Sequence, residues 1–179
     1  MKFVSIAAIC LLAAVLPGCD EPAKQNSAPA RTNAVVTSPA SYLPYAQTNL
    51  MRMKLFLGGE ELNTELALKP LEIFTGMMWR TNMNENDAML FAFGVPDERS
   101  FYMRNTYVPL SVAYIGPEGT IREIHDLHPL DETPVLSEAD DIQYVLEVKQ
   151  GWFQRHNIST GTLVRTPFGE LKNTFKPVR

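Results

Sequence analysis

Apolar and polar residues alternate in two neighbouring segments of the chain, residues 51–57 and 62–68. A period of two places the apolar side chains on one face of an extended chain, so each segment predicts a half-buried β-strand. Gly58 and Gly59 lie between the segments and are typical of a tight hairpin turn. The pattern therefore predicts a β-hairpin at the start of the folded domain.

A helical period follows this hairpin. Apolar residues recur three and four positions apart along residues 71–80, which predicts a short helix with one buried stripe. Pro70 suits the first turn of a helix, where a missing N–H loses no intrahelical hydrogen bond. Gly76 weakens the helix but permits close packing against a sheet.

The rest of the pattern is dominated by strands. Residues 88–93 are continuously apolar, which is typical of a central strand buried on both faces. Further strands are predicted at residues 100–103, 110–115, 120–124, 142–148 and 163–166, with turns at 94–97 and 116–119, a long polar loop at 127–141 and a short helix at 151–157. The predicted fold class is α+β and β-rich: a compact, partly closed antiparallel or mixed sheet of about seven strands with two short helices.

The N-terminus combines Lys2 with an apolar run over residues 3–16, which is too short to span a bilayer comfortably. The run ends in Leu16-Pro17-Gly18-Cys19, which resembles the cleavage and lipidation box of bacterial lipoproteins. The resemblance implies a signal peptide over residues 1–18 and lipid attachment at Cys19. It also implies a membrane-anchored protein of the bacterial cell envelope, with its domain on the periplasmic side. A plain secreted protein with a stray Cys near the cut is the alternative.

Composition divides the remaining chain. Residues 19–47 are rich in Pro, Ala, Ser, Thr and Asn, which indicates a lipidated N-terminus followed by a flexible linker. The domain is predicted over residues 48–170, and residues 171–179 form a tail.

The net charge is −4 and no basic block occurs, which argues against a nucleic-acid partner. Cys10 and Cys19 are the two cysteines, so the mature domain has no thiol for catalysis or metal binding.

Five blocks spread over about a hundred residues carry a family resemblance: residues 76–80, 89–93, 101–106 with 109–110, the turn at Gly119, and 144–148 with 151–153 and Gly161. With these blocks the chain resembles domain-of-unknown-function family 192. The resemblance implies a β-rich envelope or secreted domain, and it implies no particular activity. Ser111 stands where the family usually has Asp, and Ala88 where it has Gly, so a catalytic role for that Asp would be absent here.

Arg80, Arg104, Asn105 and Thr106 form the candidate ligand-binding site. A guanidinium fork, an amide and a hydroxyl in one turn can bind a carboxylate or a phosphate oxygen, so the expected ligand is small and anionic. The alternative is structural. Asn and Thr often hold turns through side-chain-to-backbone hydrogen bonds, and Arg often pairs with a buried acid such as Glu147.

Other chemistries have weaker signals. His125 and His128 flank Asp126 and resemble half of a metal site, and the eight methionines suggest soft ligands for Cu(I). Methionine on apolar stripes is usually core filler, so no metal site and no cofactor is assigned. The sequence therefore predicts a binding or accessory module for a small anionic ligand or an envelope protein partner. An envelope enzyme with the polar Arg/Asn/Thr site and a copper-handling protein are the alternatives.

Overall fold

The computed structural model describes residues 42–176, so the predicted signal peptide, Cys19 and most of the predicted linker lie outside the described residues. Within residues 42–176 the chain forms ten strands and three short helices. The strands are β1 (Arg52–Leu57), β2 (Glu60–Ala67), β3 (Asp87–Asp97), β4 (Ser100–Phe101), β5 (Leu110–Ile115), β6 (Ile121–Leu127), β7 (Val135–Leu136), β8 (Ile142–Lys149), β9 (Val164–Thr166) and β10 (Gly169–Glu170). The helices are α1 (Pro70–Thr75), α2 (Trp152–Arg155) and α3 (Leu171–Thr174).

Eight of the strands form one mixed sheet in the order β10-β9-β1-β2-β3-β8-β5-β6, and β4 pairs with β7 separately. β2 and β3 run parallel through the crossover that contains α1, and the other paired strands run antiparallel. The sheet is not closed, although a single antiparallel bridge between Thr120 and Leu163 joins segments next to its two ends. The predicted β-rich α+β class is confirmed, with more strands and one more helix than the pattern indicated.

Local sequence explains the first elements. Gly58 has a φ of 59° at the hairpin between β1 and β2, a conformation that two-residue turns favour. Pro70 opens α1, and the Glu72 side chain accepts hydrogen bonds from the backbone N–H groups of Leu68 and Lys69, both at 3.0 Å. The helix then ends at Gly76, which has a φ of 47° and donates its N–H to Glu72 O. The predicted helix over residues 71–80 is therefore too long.

Three other predicted boundaries are also wrong. Residues 94–97, predicted as a turn, continue β3, because Asp97 pairs again with Ile142 of β8 after an irregularity in the ladder. The predicted loop at 127–141 contains β7, which pairs with β4. Past residue 166, β10 and α3 follow although no element was predicted there.

Apolar side chains cover both faces of the main sheet. On one face, Leu146 of β8 packs in a buried cluster with Trp152 of α2 and Leu171 of α3. On the opposite face, Val145 of β8 packs in a second cluster with Met103, from the segment between β4 and β5. β5 is consequently buried along its whole length, and β8 is buried except at Lys149, its last residue.

Residues 43–47 also belong to the folded part of the chain. They precede both β1 and residue 48, where the domain was predicted to begin. The buried Gln47 amide donates to the carbonyls of Glu72 and Gly76, both at 2.9 Å. Leu43 accepts a hydrogen bond from the Trp79 indole at 2.9 Å. We call residues 43–47 the N-terminal strap, because they hold α1 and the turn after it. None of the helices within residues 42–176 is long and apolar enough to cross a membrane.

Substituting Gly76→Ala tests the end of α1. A Cβ there would lie 3.4 Å from two ring carbons of Phe91, in a backbone conformation that L-residues rarely adopt. We expect the free energy of unfolding to fall by about 1–3 kcal/mol in urea denaturation. Gly94→Ala is the matched control, because its Cβ would meet open space and should leave stability unchanged or raised by up to about 1 kcal/mol. Equal effects of the two substitutions would contradict this explanation.

Candidate functional site

Two acidic side chains lie in one row across the middle of the sheet. Glu65 on β2 is the register partner of Met89 on β3, and Met89 is the partner of Glu147 on β8. Residues directly opposite each other on neighbouring strands project to the same face, so both carboxyl groups lie on the face covered by α1. Glu65 is 2% exposed and Glu147 is 4% exposed.

The two acids have different partners. Glu65 accepts from Arg52 at 2.7 Å and from Arg80 at 2.6 Å, so its buried charge is compensated by two guanidinium groups. Glu147 Oε2 has no hydrogen-bond partner among residues 42–176. Burial raises the pKa of Glu147 to about 8, and the nearby charge of Arg80 opposes that rise only in part. Glu147 is therefore mainly protonated at neutral pH.

Glu147 borders a cavity of about 290 Å³ between the sheet, α1 and the segment that leads into β4. The lining residues are Ile73, Phe74, Thr75, Gly76, Met77, Met78, Phe91, Phe93, Glu98, Arg99, Ser100, Phe101, Tyr102, Thr106 and Glu147. Met77, Phe91 and Thr106 are buried, whereas Phe74 is 58% exposed and Glu98 is exposed. The cavity therefore runs from a solvent-facing rim to a buried floor.

Aromatic rings dominate the walls. Phe91 and Phe101 meet edge to face with centroids 4.9 Å apart, and the Arg99 guanidinium lies 4.0 Å from the Phe93 ring centroid. Arg99 donates through Nη2 to Val95 O at 2.5 Å and through Nε to Ile142 O at 3.2 Å. Its burial lowers the pKa of Arg99. These contacts fix the Arg99 side chain as part of the wall.

The four residues that the sequence predicted as a site do not share this cavity. Arg80 binds Glu65 and also donates to Gln47 O at 2.7 Å. Arg104 donates to Glu132 at 2.6 Å on the surface.

Asn105 has a φ of 54°, and its backbone oxygen accepts a hydrogen bond from the Trp79 N–H, so this residue stabilises the turn. Thr106 donates to Arg104 O at 3.2 Å and also lines the cavity, which the other three residues do not. The structural alternative had named Glu147 as an example of an acid that pairs with arginine; the ion pairs of these two arginines are Arg80–Glu65 and Arg104–Glu132.

The residues weighed for other chemistry have structural partners. Ser111 donates to Asp126 at 2.5 Å and accepts the Gly151 N–H at 2.8 Å, which ties β5 and β6 to the turn before α2. His125 Nε2 lies 2.9 Å from Glu123 Oε2 on the same strand. Among residues 42–176, no three His, Cys, Asp or Glu side chains are grouped closely enough to hold a metal ion.

Fold and cavity together define a small β-rich domain with one uncompensated buried acid. The chain belongs to domain-of-unknown-function family 192, described as "Uncharacterized ACR", whose model matches residues 53–166. This confirms the family resemblance that the sequence blocks indicated.

Two solved structures are similar to the chain. One is a protein from Sinorhizobium meliloti 1021, described as a candidate transcription regulator, with 31% identity, a TM-score of 0.64, and coverage of 68% of this chain and 98% of that one. The other is a protein of unknown function from Novosphingobium aromaticivorans DSM 12444, with 28% identity, a TM-score of 0.63, and coverage of 69% and 92% respectively. No curated protein matches the chain.

Glu147 is the residue that the sequence prediction passed over as a site. The alternation of Tyr144, Leu146 and Val148 assigns it to the opposite face of a strand whose two faces are both apolar. An acid in such a strand must be paired with a cation, carry a proton, or bind a ligand. That pattern was visible in the sequence, although the cavity beside it was not.

Replacing Glu147 tests its protonation in the folded state. The folded pKa of about 8 lies above the ordinary 4.5, so folding favours the protonated carboxyl. Stability should then fall as pH rises from about 4.5 to about 8, by roughly 3–5 kcal/mol from this group. We expect Glu147→Gln to remove most of this slope in urea denaturation followed across that range.

Glu61→Gln is the control for this measurement. Glu61 lies on β2 with an exposed side chain that pairs with Lys54, and the substitution makes the same replacement of a carboxyl group by an amide. It should leave the pH dependence as it is in the wild type. A wild-type slope that persists in Glu147→Gln would show that Glu147 is not the titrating group.

Proposed function

We propose that the protein is a ligand-binding module of the bacterial cell envelope, and that its ligand is a small, mainly apolar molecule held in the cavity beside Glu147. The observation that carries the proposal is the pairing of an aromatic-walled cavity with a buried carboxyl oxygen that has no partner within the described residues. Ligand sites commonly combine an apolar lining with a few polar groups that fix orientation.

Size and access support this use. An apolar cavity of roughly 150 Å³ holds a benzene molecule, so a cavity of about 290 Å³ suits a ring with a short substituent. Phe74 and Tyr102 are exposed at the rim, where a ligand would cover apolar surface that now faces solvent. Thr106 and Glu147 supply polar atoms at the floor.

The cavity favours a neutral or cationic ligand over an anion. Glu98 places an exposed acid at its rim, and two nitrogens of Arg99 already bind carbonyl oxygens. A small anionic ligand for the turn at Arg104–Thr106 and an envelope protein partner both stay untested predictions. A role in transcription is not carried over from the similar structure, since a chain of net charge −4 without basic blocks is poorly suited to DNA phosphates.

Methionine methyl groups report on this cavity directly. Met77 and Met78 line it, whereas Met51 precedes β1 and is exposed. With ¹³C-methyl-labelled methionine and benzyl alcohol as the probe, we expect saturable NMR shifts of Met77 and Met78 and none of Met51. Unchanged Met77 and Met78 signals up to the solubility of the probe would refute the proposed site.

A rim substitution sharpens the same experiment. Phe74→Ala removes an exposed ring that lines the cavity and should weaken the probe roughly 3- to 10-fold, as expected for the loss of about 1 kcal/mol of apolar contact. Phe168→Ala is the control, because Phe168 is 74% exposed and does not line the cavity. The site would be misplaced if both substitutions weakened binding equally.

We also propose that Cys19 anchors this module to a membrane through attached lipid. The Leu16–Cys19 box after an apolar run supports the proposal, and two or more acyl chains give stable attachment. Cys19→Ser should move the protein from the membrane pellet to the soluble fraction and abolish labelling with radioactive palmitate. Cys10→Ser, within the apolar run, should keep both. Labelling that survives in Cys19→Ser would contradict the assignment.

A further inference from the structure

We infer that the cavity selects apolar amines: the apolar part of the ligand lies among the aromatic walls, and its ammonium group binds the carboxylate of Glu147. This inference rests on the proposed binding function and names the class of ligand. Three features of the cavity support it, namely the state of Glu147, the chemistry of the walls and the charges around the floor.

The first feature is the unsatisfied carboxyl group. Glu147 is 4% exposed, borders the cavity and has no hydrogen-bond partner at Oε2. A buried carboxylate is stable only beside a matching cation or several donors. An ammonium group carries a full positive charge and three N–H donors, so it supplies both in one small group.

The second feature is the aromatic lining. Phe74, Phe91, Phe93, Phe101 and Tyr102 contribute rings to the cavity. The faces of aromatic rings attract cations, and the wall already shows this preference where Arg99 lies 4.0 Å from the centroid of Phe93. A ligand that is both apolar and cationic uses the whole lining, whereas a carboxylate ligand would meet the negative faces of the rings.

The third feature is the set of charged and titratable groups that face Glu147. Arg80, after α1, lowers the pKa of Glu147 through its charge, binds Glu65 of β2 through Nη2, and has a buried Nε without a hydrogen-bond partner among the described residues. Tyr114 of β5 is a weak acid whose pKa is raised by burial and further by Glu147. Glu98 and Arg99 contribute opposite charges at the rim. No group among these described residues forms an ion pair with Glu147, so a ligand cation would be its direct partner.

Binding is therefore coupled to the release of a proton. The free site holds Glu147 as the neutral acid at neutral pH, because burial raises its pKa to about 8. When an ammonium ion enters, Glu147 loses its proton to solvent, and the carboxylate and the ammonium group form an ion pair. No covalent bond other than this O–H bond is broken. Affinity for an amine should then rise about tenfold per pH unit below pH 8.

Three probes of matched shape test the inference: benzylamine, benzyl alcohol and benzoate. They share a ring and differ chiefly in charge, and their dissociation constants can be measured from the methionine methyl signals. We expect benzylamine to bind at least about tenfold more tightly than benzyl alcohol near pH 8, as for a charge-assisted hydrogen bond, and benzoate to bind most weakly. Benzyl alcohol should show little dependence on pH.

Glu147→Gln should keep benzyl alcohol binding and lose both the preference for benzylamine and its pH dependence. Glu61→Gln should keep all of them. Calorimetry of the wild type in two buffers of different ionisation enthalpy should show release of nearly one proton per benzylamine near pH 6, a readout that needs no variant.

The outcomes separate this inference from the proposed function. Equal affinities for benzylamine and benzyl alcohol near pH 8, or no proton release, would overturn amine selectivity while leaving ligand binding in place. A preference for benzylamine that survives in Glu147→Gln would also overturn it, since the cation would then bind elsewhere. Failure of every probe to shift Met77 and Met78 would overturn the inference and the proposed function together.

Discussion

The burial of the central strands on both faces is the constraint on which the rest of the structure depends. β8 lies between β3 and β5 under two apolar clusters, so a polar side chain in the middle of it is almost entirely withdrawn from bulk water. A buried acid must then find a cation, hold its proton or face a cavity. Glu65, in the same row, finds two arginines. Glu147 finds none, and the cavity lies beside it.

The wall of that cavity is held by contacts that begin before the first strand. The N-terminal strap, residues 43–47, binds the end of α1 through Gln47 and the following turn through Leu43. Gly76 at that point packs against Phe91 of β3, where a Cβ would already touch the ring. The segment arriving from the proposed membrane tether thus fixes the wall opposite the sheet. The strap therefore holds this wall of the cavity through a few hydrogen bonds.

Periodicity predicted the strands well because each depends on local alternation and burial. β5 spans the predicted residues 110–115, since all its neighbours agree with its apolar pattern. The helix was predicted too long because its apolar stripe continues past Gly76, where a positive φ ends it. The site could not be predicted in the same way. The cavity is lined by residues within 73–78 and 91–106 and by Glu147. The pairing of β3 with β8 places Glu147 beside the other two segments.

The two arginines of the predicted site show the same limit of prediction from sequence. Arg80 and Arg104 have the chemistry of anion receptors, yet each already forms an ion pair with an acid distant in sequence, Glu65 and Glu132 respectively. The chemistry of a side chain decides what it can bind. Its neighbours in the fold decide whether its donors and acceptors remain available to a ligand. Of the two buried acids among the described residues, Glu147 is the one left over, on a strand where a Val would pack without any cost of desolvation. An uncompensated acid in that place weakens the fold, which supports the proposal that Glu147 binds what enters the cavity.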